Sequence, residues 1–140
     1  MQIIRRDTDY GIRLLLELSV HTDLTIPCRQ LAEACGTPVS FTYKVLRRLA
    51  QADLVTSREG RPGGFKLRKR PNRVSLYQVV VALQGPVSVS NCVLDRAHRD
   101  RRTNCALSAE WAKLRKNMIG FLKRTTLADL LGAPGRRRPG

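Results

Sequence analysis

The segment from Pro27 to about Ala52 constrains the fold most, because it holds two short amphipathic helices and a tight turn. In residues 27–35 the apolar side chains recur at the i, i+3, i+4 and i+7 spacing of one helical face, and they are Cys28, Leu31, Ala32 and Cys35. Pro27 suits the first position of this helix, and Gly36 suits the position after its end. Seven residues of helix rise about 10.5 Å, so the two Cys residues cannot form a disulfide with each other and are predicted to be core thiols.

The second helix of this pair is predicted to begin at Ser40, as its N-cap, and to run to about Ala52. The side chains predicted to face the core are Val45, Leu46 and Leu49, while those predicted to face elsewhere are Tyr43, Lys44, Arg47 and Arg48. Two helices joined by a short turn that contains glycine form a helix-turn-helix pattern, in which the second helix reads DNA. The alternative is an ordinary helical pair with a charged outer face.

A basic β-hairpin is predicted directly after the helix pair. Residues 54–58 and 65–68 have strand composition, and the intervening residues 59–64 are rich in glycine and proline. The arms and tip carry Arg58, Arg61, Lys66, Arg68, Lys69 and Arg70. A basic hairpin beside a reader helix is a wing, which would place Arg58 and Arg61 at phosphates or in the minor groove.

The charge balance also points to a polyanionic partner. The chain has 26 Lys and Arg against 11 Asp and Glu, a net charge of +15 over 140 residues, and nucleic acid is the simplest partner for such a chain. Membrane binding is not expected, since the basic residues are not confined to one helix and no apolar run approaches the roughly 18 residues of a span. No signal peptide is evident, so a cytoplasmic location is expected. The sequence shows no nucleophile–base pair, phosphate loop or carboxylate pair, so an enzyme is not expected.

The remaining residues predict four more helices around a long loop. The helices are expected at residues 8–21, 76–83, 109–124 and 127–131, the last three capped by Ser75, Ser108 and Thr126. Residues 86–107 lack periodicity. The long helix carries an apolar stripe that consists of Trp111, Leu114, Met118 and Phe121. Because so short a chain has little left to cover this stripe, the helix is predicted to be the interface of a homodimer, with an internal core helix as the alternative.

These elements together predict a mostly α-helical fold with a small β-hairpin wing. We expect a winged helix-turn-helix domain at residues 1–84 and a sensor loop at residues 85–107. Residues 108–132 would form the dimerisation helix and a closing helix, and residues 133–140 a basic, disordered tail.

Six stretches of the sequence match one known family. They are Asp9-Tyr10-Gly11-Ile12-Arg13, Leu31-Ala32-Glu33, Val39-Ser40-Phe41, Val45-Leu46-Arg47-Arg48-Leu49, the wing from Gly60 to Leu67, and the closing segment from Gly120 to Leu130. Over nearly all of residues 2–132 the chain thus resembles the Rrf2 family of bacterial transcription factors, the winged-helix regulators similar to IscR and NsrR. The resemblance implies a homodimeric regulator of transcription, with a repressor expected.

The expected partner is double-stranded DNA with a palindromic operator whose half-sites are about one helical turn apart. The residues expected at the major groove are Ser40, Tyr43, Lys44 and Arg47, and those expected at the minor groove are Arg58 and Arg61.

The resemblance also implies an iron–sulfur cluster, although the ligand pattern departs from that of the family. Members that sense through clusters carry three loop Cys, whereas here Cys92 and Cys105 match the first and last and no Cys lies between them. Asp9 matches a ligand that some members supply from the first helix of the other subunit. Together with His98, these residues could supply four ligands to a labile two-iron 2Fe–2S cluster that senses redox state, nitric oxide or iron–sulfur supply.

Other readings of the loop remain open. Cys92 and Cys105 could close a regulatory disulfide, or the protein could have no cofactor. It would then be a cluster-free regulator or interaction module controlled by a protein partner. A zinc site is disfavoured, since neither CxxC nor HxxxH spacing is present.

Overall fold

A computed structural model of the chain describes residues 3–61, 63–89 and 106–132. Its elements are α1 (Arg6–Val20), α2 (Cys28–Cys35), α3 (Val39–Gln51), β1 (Val55–Arg58), β2 (Gly64–Leu67), a 3₁₀ turn (Pro71–Arg73), α4 (Leu76–Gln84), α5 (Ala106–Arg124) and α6 (Leu127–Leu131). The predicted fold class, mostly helical with a small hairpin, is confirmed. No helix in these ranges has the length and apolar character needed to cross a bilayer.

Helix α1 is the centre of the packing. Its side chains Leu14, Leu15 and Leu18 are fully buried, and the helix contacts α2, α3, α4, α6 and β2. Helix α3 faces it with Val45, Leu46 and Leu49, as predicted, and all three belong to the same apolar core. Burial of apolar surface on this scale is the main force that holds the helices together.

The turn between α2 and α3 confirms the predicted helix pair, with one correction. Gly36 ends α2 in the left-handed conformation, with φ of +65°, which glycine adopts at little cost. Ser40 was predicted to be the N-cap of α3, but the cap is Pro38, two residues earlier, and the helix begins at Val39. Pro38 has an extended ψ of 141°, and its carbonyl accepts both the backbone N–H of Thr42, at 3.0 Å, and the Thr42 hydroxyl, at 2.9 Å. Ser40 therefore lies within the first turn.

We call residues 3–84 the head. The wing is an antiparallel hairpin within it, and the second strand of the hairpin is anchored to the other elements. Val55 pairs with Leu67 and Arg58 with Gly64. Phe65 forms a further bridge to Ile26, with two backbone hydrogen bonds of 2.9 Å. Gly64 has a φ of +143°, and a side chain there would overlap the carbonyl oxygen of Ile26. Glycine is therefore required for this close approach of two backbones.

The C-terminal part packs back on α4. Ser75 caps α4 and Thr126 caps α6, as predicted, and each cap is part of a capping box. A second apolar cluster joins α4 to α5 and consists of Leu76, Val80, Val87 and Leu122. Ser108 was predicted to cap α5, but it lies inside the helix. The helix already includes Ala106 and Leu107, which are residues with high helix propensity. Cys92, His98, Cys105 and the tail at residues 133–140 lie outside the described residues.

Candidate nucleic-acid interface

We call α3 the reader helix. One of its faces is exposed along the length of the helix. Ser40, Tyr43, Lys44 and Arg47 recur at the i, i+3, i+4 and i+7 spacing, and all four are exposed. The opposite face is held in the core by its apolar side chains. The helix thus presents a polar surface whose orientation is fixed by packing behind it.

An open groove, which we call the reader groove, lies between the reader helix and the wing. Tyr43 and Arg47 line it from the helix, and Arg58 and Arg61 line it from the hairpin. Four of the six residues predicted to contact DNA are therefore brought together. Ser40 and Lys44 lie on the exposed face of the helix but do not line the groove.

The reader groove carries a net positive charge. Among the described residues that line it, Glu59 is the one carboxylate, against the guanidinium groups of Arg47, Arg58 and Arg61. Arginine is always charged at neutral pH and presents a fork of donors that matches phosphate oxygens and guanine edges. The groove is therefore suited to bind the backbone or a base edge of nucleic acid.

An aromatic contact connects the two walls of the groove. The ring of Tyr43 meets that of Phe65 edge to face, with centroids 6.2 Å apart. Phe65 is buried whereas Tyr43 is 48% exposed, so the tyrosine both supports the wing and keeps part of its ring available. Such pairs contribute about 0.5–1.5 kcal/mol beyond their buried area.

A half-buried thiol also lines the groove. Cys28 lines the groove, and its Sγ lies 3.7 Å from the carbonyl oxygen of Val39. Burial raises the pKa of the Cys28 thiol above its ordinary value. Burial, and then the nearby carboxylate of Glu17, raise the pKa of Cys35. Both are free, half-buried thiols packed against the core, as predicted.

Two polar residues of this surface, and the contact that Arg48 makes, were not predicted from the sequence. Gln51 and Ser57 line the reader groove, and Gln51 follows Arg47 by four residues, a spacing that could have identified it. Arg48 was predicted only to face away from the core. The structure places its guanidinium 3.3 Å from Asp7, a pairing that no local spacing indicates.

Of the four predicted cluster ligands, Asp9 alone lies within the described residues. Its carboxylate lies in the first turn of α1, is exposed, and accepts a hydrogen bond of 3.0 Å from Nε of Arg13. Within the described ranges no group of three or more His, Cys, Asp or Glu side chains is arranged to hold a metal. This part of the chain therefore offers one carboxylate to a cluster and no complete ligand set.

Comparison with known proteins agrees with this geometry. The family model named Rrf2, described as an iron-dependent transcriptional regulator, matches residues 4–133. The chain is 32% identical over 129 residues to the transcriptional repressor NsrR of Streptomyces coelicolor, an alignment that covers 91% of this chain and 86% of the relative. It is 27% identical over 123 residues to the transcriptional regulator IscR of Photobacterium profundum, covering 87% of this chain and 71% of the relative.

The solved structure of CymR, the global cysteine regulator of B. subtilis, has the same fold. It superposes with a TM-score of 0.79 at 23% identity and covers 93% of this chain and 96% of that one. These relatives and fold neighbours are transcriptional regulators rather than enzymes. The family match over nearly the whole chain, together with the winged-helix fold, shows that this protein belongs to the Rrf2 family of DNA-binding transcriptional regulators.

Proposed function

We propose that the protein is a homodimeric repressor that binds a palindromic operator through the reader groove. The observation that carries this proposal is the meeting of Tyr43 and Arg47 with Arg58 and Arg61 along one exposed, positively charged groove. The reader helix would enter the major groove, where Arg47 and Lys44 can donate to guanine and Ser40 and Tyr43 can bind bases or phosphates. Arg58 and Arg61 of the wing would reach the adjacent minor groove.

The dimer is proposed from the exposed seam of α5. Leu107, Trp111, Leu114, Met118 and Phe121 follow one another at alternating spacings of four and three residues, which is the 3.5-residue period of a coiled coil. Leu107, Trp111, Leu114 and Phe121 are between 39% and 57% exposed, whereas Met118 packs partly against its own α4. A second copy of α5 would cover this seam and place two heads about a two-fold axis, which calls for a palindromic site.

A sensing role is also proposed, through the segment between α4 and α5. Cys92 and Cys105, with His98 and an Asp9 from the second subunit, would hold a labile 2Fe–2S cluster. The exposed carboxylate of Asp9 and the iron-dependent description of the family support this proposal. A cluster-free regulator controlled by a protein partner is the second candidate, favoured by the engagement of Asp9 with Arg13. Iron and sulfide analysis of anaerobically purified protein distinguishes the two.

The DNA-binding proposal is tested by two substitutions on the reader helix. Lys44→Ala and Arg47→Ala should each weaken binding to a duplex selected from a random pool by the wild-type protein, by about 1–3 kcal/mol for a base contact. Both residues are exposed, so the variants should keep the unfolding midpoint of the wild type. Lys113→Ala on α5 removes the same charge at a residue that does not line the reader groove, and it is the matched control. Unchanged affinity in both reader-helix variants would refute the assignment of this helix.

A further inference from the structure

Arg48 directly follows Arg47 in the reader helix, but the two guanidinium groups have different surroundings. Arg47 lines the reader groove. Nη1 of Arg48 instead lies 3.3 Å from Oδ2 of Asp7, in α1, and 3.5 Å from the carbonyl oxygen of Leu83, in α4. Successive residues of an α-helix point about 100° apart, so the helix directs one arginine to the groove and the other to its own protein.

Arg48 belongs to a polar cluster that we call the α4 junction, formed by Arg5, Asp7, Thr8, Arg48, Leu83 and Gln84. Nη2 of Arg5 donates to Asp7 and to the Leu83 carbonyl, both at 2.9 Å. The buried Thr8 hydroxyl donates to Oε1 of Gln84 at 2.7 Å. Asp7 thus pairs with two arginines, and its side chain is only 22% exposed. The junction connects the start of α1, the reader helix and the end of α4.

The location of the junction at the end of α4 explains why arginines gather there. The last carbonyls of a helix have no partner within the helix and carry a partial negative charge that cations stabilise. Helix α4 has no basic residue in its own last turn. Arg5 and Arg48 therefore supply this charge from other elements, and the reader helix is thereby attached to the end of α4.

The end of α4 is also where the chain leaves the DNA-binding head. Gly85 follows the helix with a φ of +82°, and two residues later the carbonyl of Val87 accepts a hydrogen bond of 2.8 Å from Nε of Arg115, in α5. We propose that Arg48 is a positioning residue, which sets the orientation of the reader helix by holding it to Asp7 and to the end of α4. This inference rests on the proposed DNA-binding function.

A direct contact between Arg48 and a DNA phosphate is the rival explanation, and the two differ in salt dependence. Each phosphate contact contributes about 0.9 to the slope of log affinity against log salt concentration. A positioning residue contributes nothing to that slope, because no counterion is released at it. The two explanations also predict opposite effects at Asp7, since removal of a negative charge by itself favours binding to DNA.

The test compares five variants, which are Arg48→Gln, Arg47→Gln, Asp7→Asn, Glu33→Gln and the double variant Asp7→Asn with Arg48→Gln. Affinity is measured for the duplex selected by the wild-type protein and for an unrelated duplex, between 50 and 200 mM KCl. Glu33 is an exposed carboxylate on α2 and controls for the charge change of Asp7→Asn. Arg47→Gln is the reference for loss of a groove-lining arginine. Circular dichroism at the assay temperature confirms that each variant is folded.

We expect Arg48→Gln to weaken specific binding about fivefold, the effect of losing a partly exposed ion pair and its hydrogen bond. The salt slope and the binding of the unrelated duplex should be unchanged. Asp7→Asn should also weaken specific binding, whereas Glu33→Gln should leave it the same or slightly stronger. The double variant Asp7→Asn with Arg48→Gln should lose less than the sum of the two single losses, since each single substitution already removes the contact between Asp7 and Arg48.

Two results would overturn the inference. A salt slope lowered by about one unit in Arg48→Gln, with undiminished affinity in Asp7→Asn, would make Arg48 a phosphate contact. Equal losses for the selected and the unrelated duplex would exclude a role in orientation. Absence of any duplex binding by the wild-type protein is a different result, which would refute the proposed function and this inference with it.

Discussion

Gly64→Ala should detach the wing from the head, and the structure allows its cost to be calculated. The φ of +143° at this position is one that alanine rarely adopts, and its Cβ would overlap the Ile26 carbonyl. The backbone strain costs about 1–3 kcal/mol. The two hydrogen bonds between Ile26 and Phe65 contribute roughly 0.5–1.5 kcal/mol each. We therefore expect the free energy of unfolding to fall by about 2–6 kcal/mol.

Gly60→Ala is the matched control for this substitution. Gly60 also lies in the wing with a positive φ, of +89°, but a Cβ there meets nothing within 4 Å. Only backbone strain of about 1–2 kcal/mol is then expected. Urea unfolding followed by circular dichroism measures both variants. Equal losses of stability in the two would show that the close contact between Gly64 and Ile26 does not hold the wing.

The same pair of variants reports on DNA binding. Phe65 follows Gly64 and supports Tyr43 at the reader groove. Under conditions where both variants are folded, Gly64→Ala should therefore lose more affinity for the selected duplex than Gly60→Ala. The reverse order would indicate that the tip of the wing matters more than its anchor.

Three further predictions concern the dimer, the thiols and the sensor. Leu114→Glu should place a charge in the apolar seam of α5 and produce monomers in sedimentation equilibrium. Ala109→Glu, outside the seam, should leave the dimer intact. A monomeric wild-type protein would refute the proposal that the seam forms a dimer interface. Because burial raises the pKa of Cys28 and Cys35, their contribution to stability is complete below the ordinary thiol pKa of about 8.5 and is lost as pH rises through the raised values. Replacement of both by Ala should therefore flatten the fall in unfolding free energy above about pH 8.5, and an unchanged pH profile would contradict this. Cys92→Ala or Cys105→Ala should abolish the visible absorbance of anaerobically prepared protein. Asp9→Ala should leave a cluster that decays faster in air. Visible absorbance retained in a variant that lacks both loop thiols would exclude them as ligands.

The parts of the fold that the sequence predicted correctly are governed by local interactions. The apolar face of α2, the left-handed Gly36 and the capping boxes at Ser75 and Thr126 each depend on residues within a few positions of one another. The same holds for the exposed face of the reader helix, because a helix with one buried side must expose the other. Ser40 shows the limit of this reasoning. Serine is a good cap, but Pro38 has the extended conformation that a cap requires and takes that position instead.

The amino-acid sequence by itself determined the helix pair, the basic wing, the exposed face of the reader helix and the family, because periodicity, turn chemistry and charge depend on neighbouring positions. The tertiary structure decided that Arg48 pairs with Asp7, since the two residues are 41 residues apart and meet only when α1 packs on α3. It also decided that Phe65 pairs with Ile26 and that Met118 packs against α4 while Leu114 stays exposed. Such contacts between distant segments depend on how the elements pack, and no local spacing in the sequence encodes them.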